Sequence, residues 1–439
     1  MPRAGAPSAR GADSQARPPG GTMGDAQPPP PSPDERFAPV FGAAAFEGES
    51  PGAIASRAGH FLAMGTAAFG SREQTADVRD DAEALGVPFV VPATDDDLLW
   101  SEQSNLDRLT RFALQDHGSS DARDWSGGAP PRAEDELALW QNVELTHSVP
   151  SLLALLNHSR ASEHELQRVA AATALRTFSN GALAAADEVL AAATTSTDEH
   201  VAAIANTALR RSDGGGSQPA APTRAPTGGG APPAFDHAEV SLAIHGTWAQ
   251  VTADPWYAPG EPLHNHIQVA STPNLYDEDT YYTWSGEYTQ AARDAGSAEL
   301  PIWRDALALP PFDTVFAHSH GGNVALTAAA DGERIRMLVL MHTPALPRSD
   351  AQWAAIRGHV GRTVVMRTRL DHVVLADGLV NGSSQRFDQN KLPHHPVVLH
   401  WANADAWFSH TFFTEVGKWL QYDLAGTVRR QHRYAEQLV

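Results

Sequence analysis

The stretch that most constrains this chain runs from Thr314 to Ala329. Apolar Thr314-Val315-Phe316 leads into Ala317-His318-Ser319-His320-Gly321-Gly322, and Asn323-Val324-Ala325-Leu326-Thr327-Ala328-Ala329 follows with helical character. A buried strand that passes into a helix through one serine and two glycines admits only a tight turn. Such a turn forces the serine into a strained backbone conformation and lifts its hydroxyl above the sheet edge. There the helix N-terminus adds backbone N–H donors and a positive dipole. Bulky side chains two residues before or after the serine would clash across the turn, and those places are held by Ala317 and Gly321. A serine with glycine two residues on also recurs by chance in ordinary turns; the strand before it and the helix after it set this one apart.

The rest of the C-terminal half agrees with a strand–helix alternation. Strands are predicted at Val240–Ile244, Tyr281–Trp284, Thr314–Ala317, Arg336–Met341, Thr363–Arg367 and Val397–Trp401, with helices at Glu287–Leu307, Gly322–Ala330, Ala351–Val360 and Phe412–Leu424. That order in about 200 residues implies a mostly parallel sheet flanked by helices, an α/β fold. Upstream the period is helical, as in Asp97 to Ala113 and Glu134 to Leu145. Between the halves lies Ser212 to Pro233, glycine clusters around a proline-containing segment, which reads as a linker. Four regions follow: a disordered tail over 1–34, an all-α domain over 35–211, the linker at 212–234 and the α/β domain over 235–439.

The helical part contains an internal repeat. His164 to Arg176 aligns with Asp198 to Arg210 at an offset of 34, and Leu155-Leu156 falls on Val189-Leu190. Small and aliphatic positions at helical spacing in such a pair resemble HEAT-type α-solenoid units. An alanine-rich bundle whose similarity comes from low complexity fits equally. Two units are fewer than a solenoid needs, so they would cap or extend a bundle.

Composition narrows the partners. A net charge of −20 argues against a nucleic-acid groove or an anionic membrane surface. The absence of cysteine removes disulfides, thiolate metal sites and a cysteine nucleophile. No run approaches the roughly 18 apolar residues that span a bilayer, and Met1 to Pro33 lacks the apolar core of a secretory signal. Cytoplasmic residence is the default expectation.

Around Ser319 the order of residues resembles the α/β-hydrolase superfamily over about 236–439, with the alanine-first turn similar to some small lipases. Ile244-His245-Gly246-Thr247-Trp248 resembles its HG oxyanion motif. Ser319 takes the place of its nucleophile, Asp371 follows the strand Thr363–Arg367, and His410 lies between the last strand and the terminal helix. The resemblance implies a serine esterase or lipase without cofactor. Its triad would be Ser319, Asp371 and His410, and its oxyanion donors the backbone N–H groups of Thr247 and His320. The chemistry needs these types: a hydroxyl becomes nucleophilic once neutral imidazole takes its proton, and a carboxylate fixes the imidazole's tautomer.

Each role has competitors. Asp377 and Asp350 compete with Asp371, which sits nearest a strand end. His400 and His372 compete with His410, but His400 lies inside an apolar strand. His245 is expected to position its loop or meet substrate, and His318, Trp248 and Trp407 to line the pocket. The pairs His264-x-His266, His318-x-His320 and His394-His395 lack acidic or cysteine neighbours at ligand spacing, so no metal is expected. The proline-rich segment Ala249 to Thr280 is expected as lid or pocket wall. The substrate would be a small-molecule or lipid ester, and the helical domain could carry a protein partner. The same scaffold hosts amidases, thioesterases and acyltransferases. A different reading is an inactive hydrolase domain in a helical-repeat adaptor, against which the intact serine–acid–histidine order speaks.

Overall fold

The computed structural model describes residue 40 and residues 43–69, 72–85, 133–146, 149–178, 184–209, 240–247, 249, 255–393, 397–401 and 408–436. The expected tail, the linker and the helix at Asp97 to Ala113 lie outside them. Alanine- and leucine-rich stretches form the helices that precede the sheet: Ala43–Glu47 (α1), Pro51–Phe69 (α2), Arg72–Leu85 (α3), Ala133–Thr146 (α4), Val149–Ser159 (α5), Glu165–Phe178 (α6), Ala184–Ala193 (α7) and Glu199–Leu209 (α8). The 34-residue offset has a structural counterpart in two helical hairpins, α5–α6 and α7–α8, joined by the same turn. Ser162 N–H donates to Ser159 O and Ser196 N–H to Ala193 O, both at 3.1 Å. The hydroxyl of Ser162 accepts from His164 N–H and that of Ser196 from Asp198 N–H. Serine capping of the turn therefore accounts for the serine that the two hairpins share, Ser162 and Ser196.

Five apolar runs then pair as one parallel sheet. Val240–Ile244 (β1), Phe312–His318 (β2), Ile335–Met341 (β3), Val360–Thr368 (β4) and Val397–Trp401 (β5) lie in the order β1-β2-β3-β4-β5. Every residue of β1, β2 and β3 is buried, as expected for a sheet covered on both faces. Helices Gln290–Ala306 (α10), His320–Ala330 (α11) and Asp350–His359 (α12) cover one face, where Leu300, Val324 and Ile356 pack on Leu338 and Leu340. Pro262–Ala270 (α9), Val416–Gln421 (α14) and Leu424–Glu436 (α15) cover the other, where Ile267, Trp419 and Val428 meet Phe316, Val339 and Met341. The alternation of Leu338, Val339 and Leu340 between faces is the strand period of two.

The path between β1 and β2 matters for function. After β1 the chain runs outward and forms a parallel bridge from Leu275 to Ser241, then returns across β1 to enter β2. The named strands themselves follow one another in chain order, and in open α/β sheets it is at the carboxyl ends of the strands that ligands bind.

Three expectations change. Tyr281–Trp284 is not a strand; Tyr282 and Trp284 are buried and act as core instead. In the expected lid segment, Leu263 and Ile267 of α9 bury themselves against the sheet, so at least this part is structural, while residues 250–254 lie outside the described ones. The third concerns the independence expected of the two halves, since the linker at 212–234 itself lies outside the described residues. His372–Asn381 (α13), which follows β4, packs among the preceding helices: Val373, Leu375, Ala376, Leu370 and Phe408 share one apolar cluster with Phe61, Leu152, Val169 and Ile204. Buried Asp81 of α3 pairs with Arg367 at 2.8 Å and Arg369 at 3.1 Å, and also with Arg386. Among the described residues, the helices before the sheet and the segments around α13 and Phe408 therefore share a core. Among the described residues no helix is long and apolar enough to cross a membrane.

Candidate active site

Three consecutive strands end in strained backbone at one edge of the sheet. Ser319 follows β2 with φ 49° and ψ −133°, His342 follows β3 with φ 50°, and Leu370 lies just past β4 with φ 52°. Non-glycine residues avoid positive φ, and where several cluster the fold is holding side chains against a local cost of order 1–3 kcal/mol each. Ser319 is tied to its neighbour strand, because its N–H donates to Met341 O at 2.8 Å. The need for a small residue two places later is concrete: a Cβ on Gly321 would lie 2.2 Å from the carbonyl oxygen of His245. The loop after β1 approaches equally closely, since a Cβ on Gly246 would lie 2.7 Å from Ser319 Cβ. Among the described residues Ser319 Oγ makes no hydrogen bond.

Asp371 follows Leu370 and caps α13, with Oδ1 accepting from Val373 N–H at 2.9 Å and Val374 N–H at 3.1 Å. Its other oxygen, Oδ2, accepts from His410 Nδ1–H at 2.8 Å. Burial by itself would raise this carboxyl, but the imidazoles of His410 and His342 hold it far below the usual carboxylate range. It is an anion at any physiological pH. The loop carrying His410 is fastened from two strands: His318 Nε2–H donates to His410 O at 2.9 Å, and Thr368 Oγ–H donates to Ser409 O at 3.1 Å. His318 is buried and held neutral, well below the ordinary histidine value, by that burial and by the neighbouring histidines. It braces the loop as well as flanking Ser319.

His245 is fully buried and both ring nitrogens are engaged. Nδ1–H donates to Gly246 O at 2.8 Å, Nε2 accepts from Trp284 N–H at 3.3 Å, and the ring stacks on Trp284. This leaves it no free atom for a substrate, so its place is to shape the loop. Thr247 sits half-buried in the turn that follows, whereas Trp248 and Trp407 lie outside the described residues. His320 opens α11, where a first-turn N–H has no intrahelical acceptor. Its ring turns away into a buried polar cluster. Nε2–H donates to Asp377 Oδ1 at 3.2 Å, and Nδ1 accepts from Asn323 at 3.2 Å. Tyr288 and Asn381 also donate to Asp377.

The competitors fall elsewhere. Asp350 is exposed beside Lys391, and Asp377 belongs to His320. His372 stacks on Phe408 and donates from Nε2 to Ala55 O at 3.1 Å in α2. His400 lies on β5 opposite Arg367. His264 donates from Nε2 to Tyr276 O at 3.0 Å, and His394 and His395 are outside the described residues.

One residue escaped the sequence reading. His342 places Nδ1 2.8 Å from Asp371 Oδ2, the oxygen already bound by His410, though not in line with its ring N–H. Its only signal was a polar residue one step past a predicted strand end. Donor atoms of His342, Asp371 and His410 lie within 4.8 Å of one another, a set that could also hold a metal ion; exposed Glu49 and Glu163 with half-buried His164 form another. Comparison of the chain with family models, curated proteins and solved structures returns no match.

Proposed function

We propose that the chain is a serine hydrolase of carboxylic esters. One observation carries the reading: a serine in strained backbone and a hydrogen-bonded histidine–carboxylate pair stand at the same, carboxyl end of the parallel sheet. Asp371 holds the proton of His410 on Nδ1, which leaves Nε2 as the base. Nε2 takes the Ser319 proton as Oγ attacks the ester carbonyl. The oxyanion that forms is stabilised by the N–H groups of His320 and Thr247. The tetrahedral species collapses with cleavage of the ester C–O bond, and the leaving alkoxide takes the proton from His410. Water, deprotonated by the same nitrogen, then attacks the acyl carbonyl and releases acid and free Ser319.

The neighbouring histidines fit this division of labour. Burial lowers the basicity of His318 and His320, and their rings are engaged with His410 O and with Asp377 and Asn323. A p-nitrophenyl ester assay tests the proposal. Wild type should release nitrophenol with saturation, and Ser319→Ala should reduce the rate to background with the fold intact. Equal rates in both proteins would reject Ser319 as the nucleophile.

A further inference from the structure

One helix serves both arms of the site. Asp371 caps α13 and holds His410, and further along the same helix Asp377 holds His320. Asp377 is buried on a helix whose Val373, Leu375 and Ala376 pack as apolar core. Its Oδ1 accepts from three donors: His320 Nε2–H at 3.2 Å, Asn381 Nδ2–H at 2.7 Å and the Tyr288 hydroxyl. Burying a carboxylate is expensive, and packed apolar side chains in place of such a group often cost no stability. Its presence therefore calls for a reason in what it positions. The ring it holds is gripped from other sides too. His320 Nδ1 accepts from Asn323 at 3.2 Å, and Asn323 is itself fixed, donating to Pro344 O at 3.0 Å and accepting from Arg348 at 2.8 Å. The Tyr288 ring meets the imidazole edge-on, with centroids 5.1 Å apart. Both ring nitrogens of His320 are thus committed.

We propose that Asp377 is a positioning residue: through the ring of His320 it fixes the direction of the His320 backbone N–H, the donor offered to the oxyanion. This rests on the serine-hydrolase reading. The N–H of His320 lies in the planar peptide unit that also carries Ser319 O. Ser319 O accepts from Gly322 N–H at 3.0 Å, which leaves the far end of that plane, His320 Cα, to be held by its side chain. Ser319 sits at a strained φ of 49° and ψ of −133°. Such backbone persists only where its surroundings over-determine it, and the tether from α13 is one of those constraints. Releasing it lets the peptide plane turn. A donor preorganised for an oxyanion loses much of its worth when it moves by about 1 Å.

Turnover of a p-nitrophenyl ester and of its thiono counterpart by the full chain separates this role from packing. Sulfur accepts hydrogen bonds weakly and sits further from carbon than oxygen does. Donors placed for an oxyanion therefore serve the ester far more than the thionoester. His320→Ala and Asp377→Ala both leave the His320 N–H in the chain. Each should lower kcat for the ester about tenfold to a hundredfold with KM little changed. The thionoester rate should fall much less, so the ester-to-thionoester ratio shrinks by roughly tenfold. The double variant should be little worse than either single one, because the two side chains form one tether. Glutamine at position 320 puts an amide N–H close to where Nε2 stood, so His320→Gln should return the ratio toward wild type. A fall shared equally by both substrates, or His320→Gln no better than His320→Ala, would overturn the proposal and leave Asp377 as packing. If Asp377→Ala does not fold, the two His320 variants decide alone. Wild type that hydrolyses neither substrate overturns this inference together with the serine reading; an active wild type whose ratio the variants leave unmoved rejects the tether only.

Discussion

The two arms of the site are held by different parts of the molecule. Ser319 and the Gly246 loop stand on β1 and β2, with local contacts to Met341 and His245. Asp371 and His410 stand where the chain leaves the sheet for the helices: α13 runs into the core formed by α2, α5, α6 and α8, and Phe408 is locked there two residues before His410. The Ser319 arm is therefore a local product of strand, turn and helix. The Asp371–His410 arm stands beside contacts to residues some 300 positions away in sequence, such as Ala55 on His372 and Asp81 on Arg367. The helical layer is better seen as half of the frame than as an appendage.

The strongest way to break this comparison is to remove that frame. A fragment beginning near Phe235 would expose the apolar faces of α13 and Phe408 and leave Arg367 and Arg369 without Asp81, so it should be insoluble or inactive. Protease nicking of the intact protein within 212–234 should, in contrast, leave two pieces that co-elute and stay active. A soluble, active fragment would show that the arms do not need the shared core.

Next come the arms themselves. Ser319→Ala and His410→Ala should each cost roughly 10^3- to 10^6-fold in turnover, and the double variant should be little worse than either, because the residues act as a unit. Asp371→Asn should fall the same way but less far. Multiplicative losses measured in steady state would separate Ser319 from His410.

A milder perturbation reaches the base from the helical layer alone. A Cβ on Gly59 of α2 would lie 2.1 Å from the Phe408 ring. Gly59→Ala must therefore displace Phe408 and with it the His410 loop, for an expected loss of about tenfold to a hundredfold in kcat with small change in KM. Unchanged kcat in a folded Gly59→Ala protein would uncouple α2 from the base.

The smallest effect on activity should come from Asp81→Asn, which leaves three arginines facing a neutral amide. Removing one partner of a buried ion pair costs about 3–5 kcal/mol of stability, read as a lower urea midpoint, while activity per folded molecule persists. The Arg367 and Arg386 charges hold this carboxyl below its ordinary value in spite of burial. A depressed folded value contributes stability that is present above the unfolded carboxyl pKa of about 3.9 and is lost as pH falls through the lower, folded value. Asp81→Asn should accordingly flatten the acid side of the stability profile; an identical acid dependence would remove Asp81 from the account.

The same division explains what could be read from the sequence. Strands β1 to β5 declared themselves as apolar runs, and the Ser319 turn as small residues at fixed offsets, because both signals are local. The pairing of Asp371 with His410 was inferred from chain order and strand ends. His342 was invisible to that approach: its place beside Asp371 depends on a positive φ and on register with β4, neither of which a lone histidine after Met341 reveals. α13 was missed because every residue from His372 to Gly378 is buried, which leaves no amphipathic stripe to find. The shared apolar cluster was hidden for a related reason. A glycine- and proline-rich composition says nothing about whether the parts it joins bury a common core.

The central claim, that Ser319 is a nucleophile activated across these two arms, meets its most direct test in intact-mass measurement of the full chain after exposure to a fluorophosphonate. The account predicts one adduct, mapping to the peptide that carries Ser319, slowed by His410→Ala and absent from Ser319→Ala. No adduct on folded wild-type protein, or an adduct on another residue that survives Ser319→Ala, would contradict it.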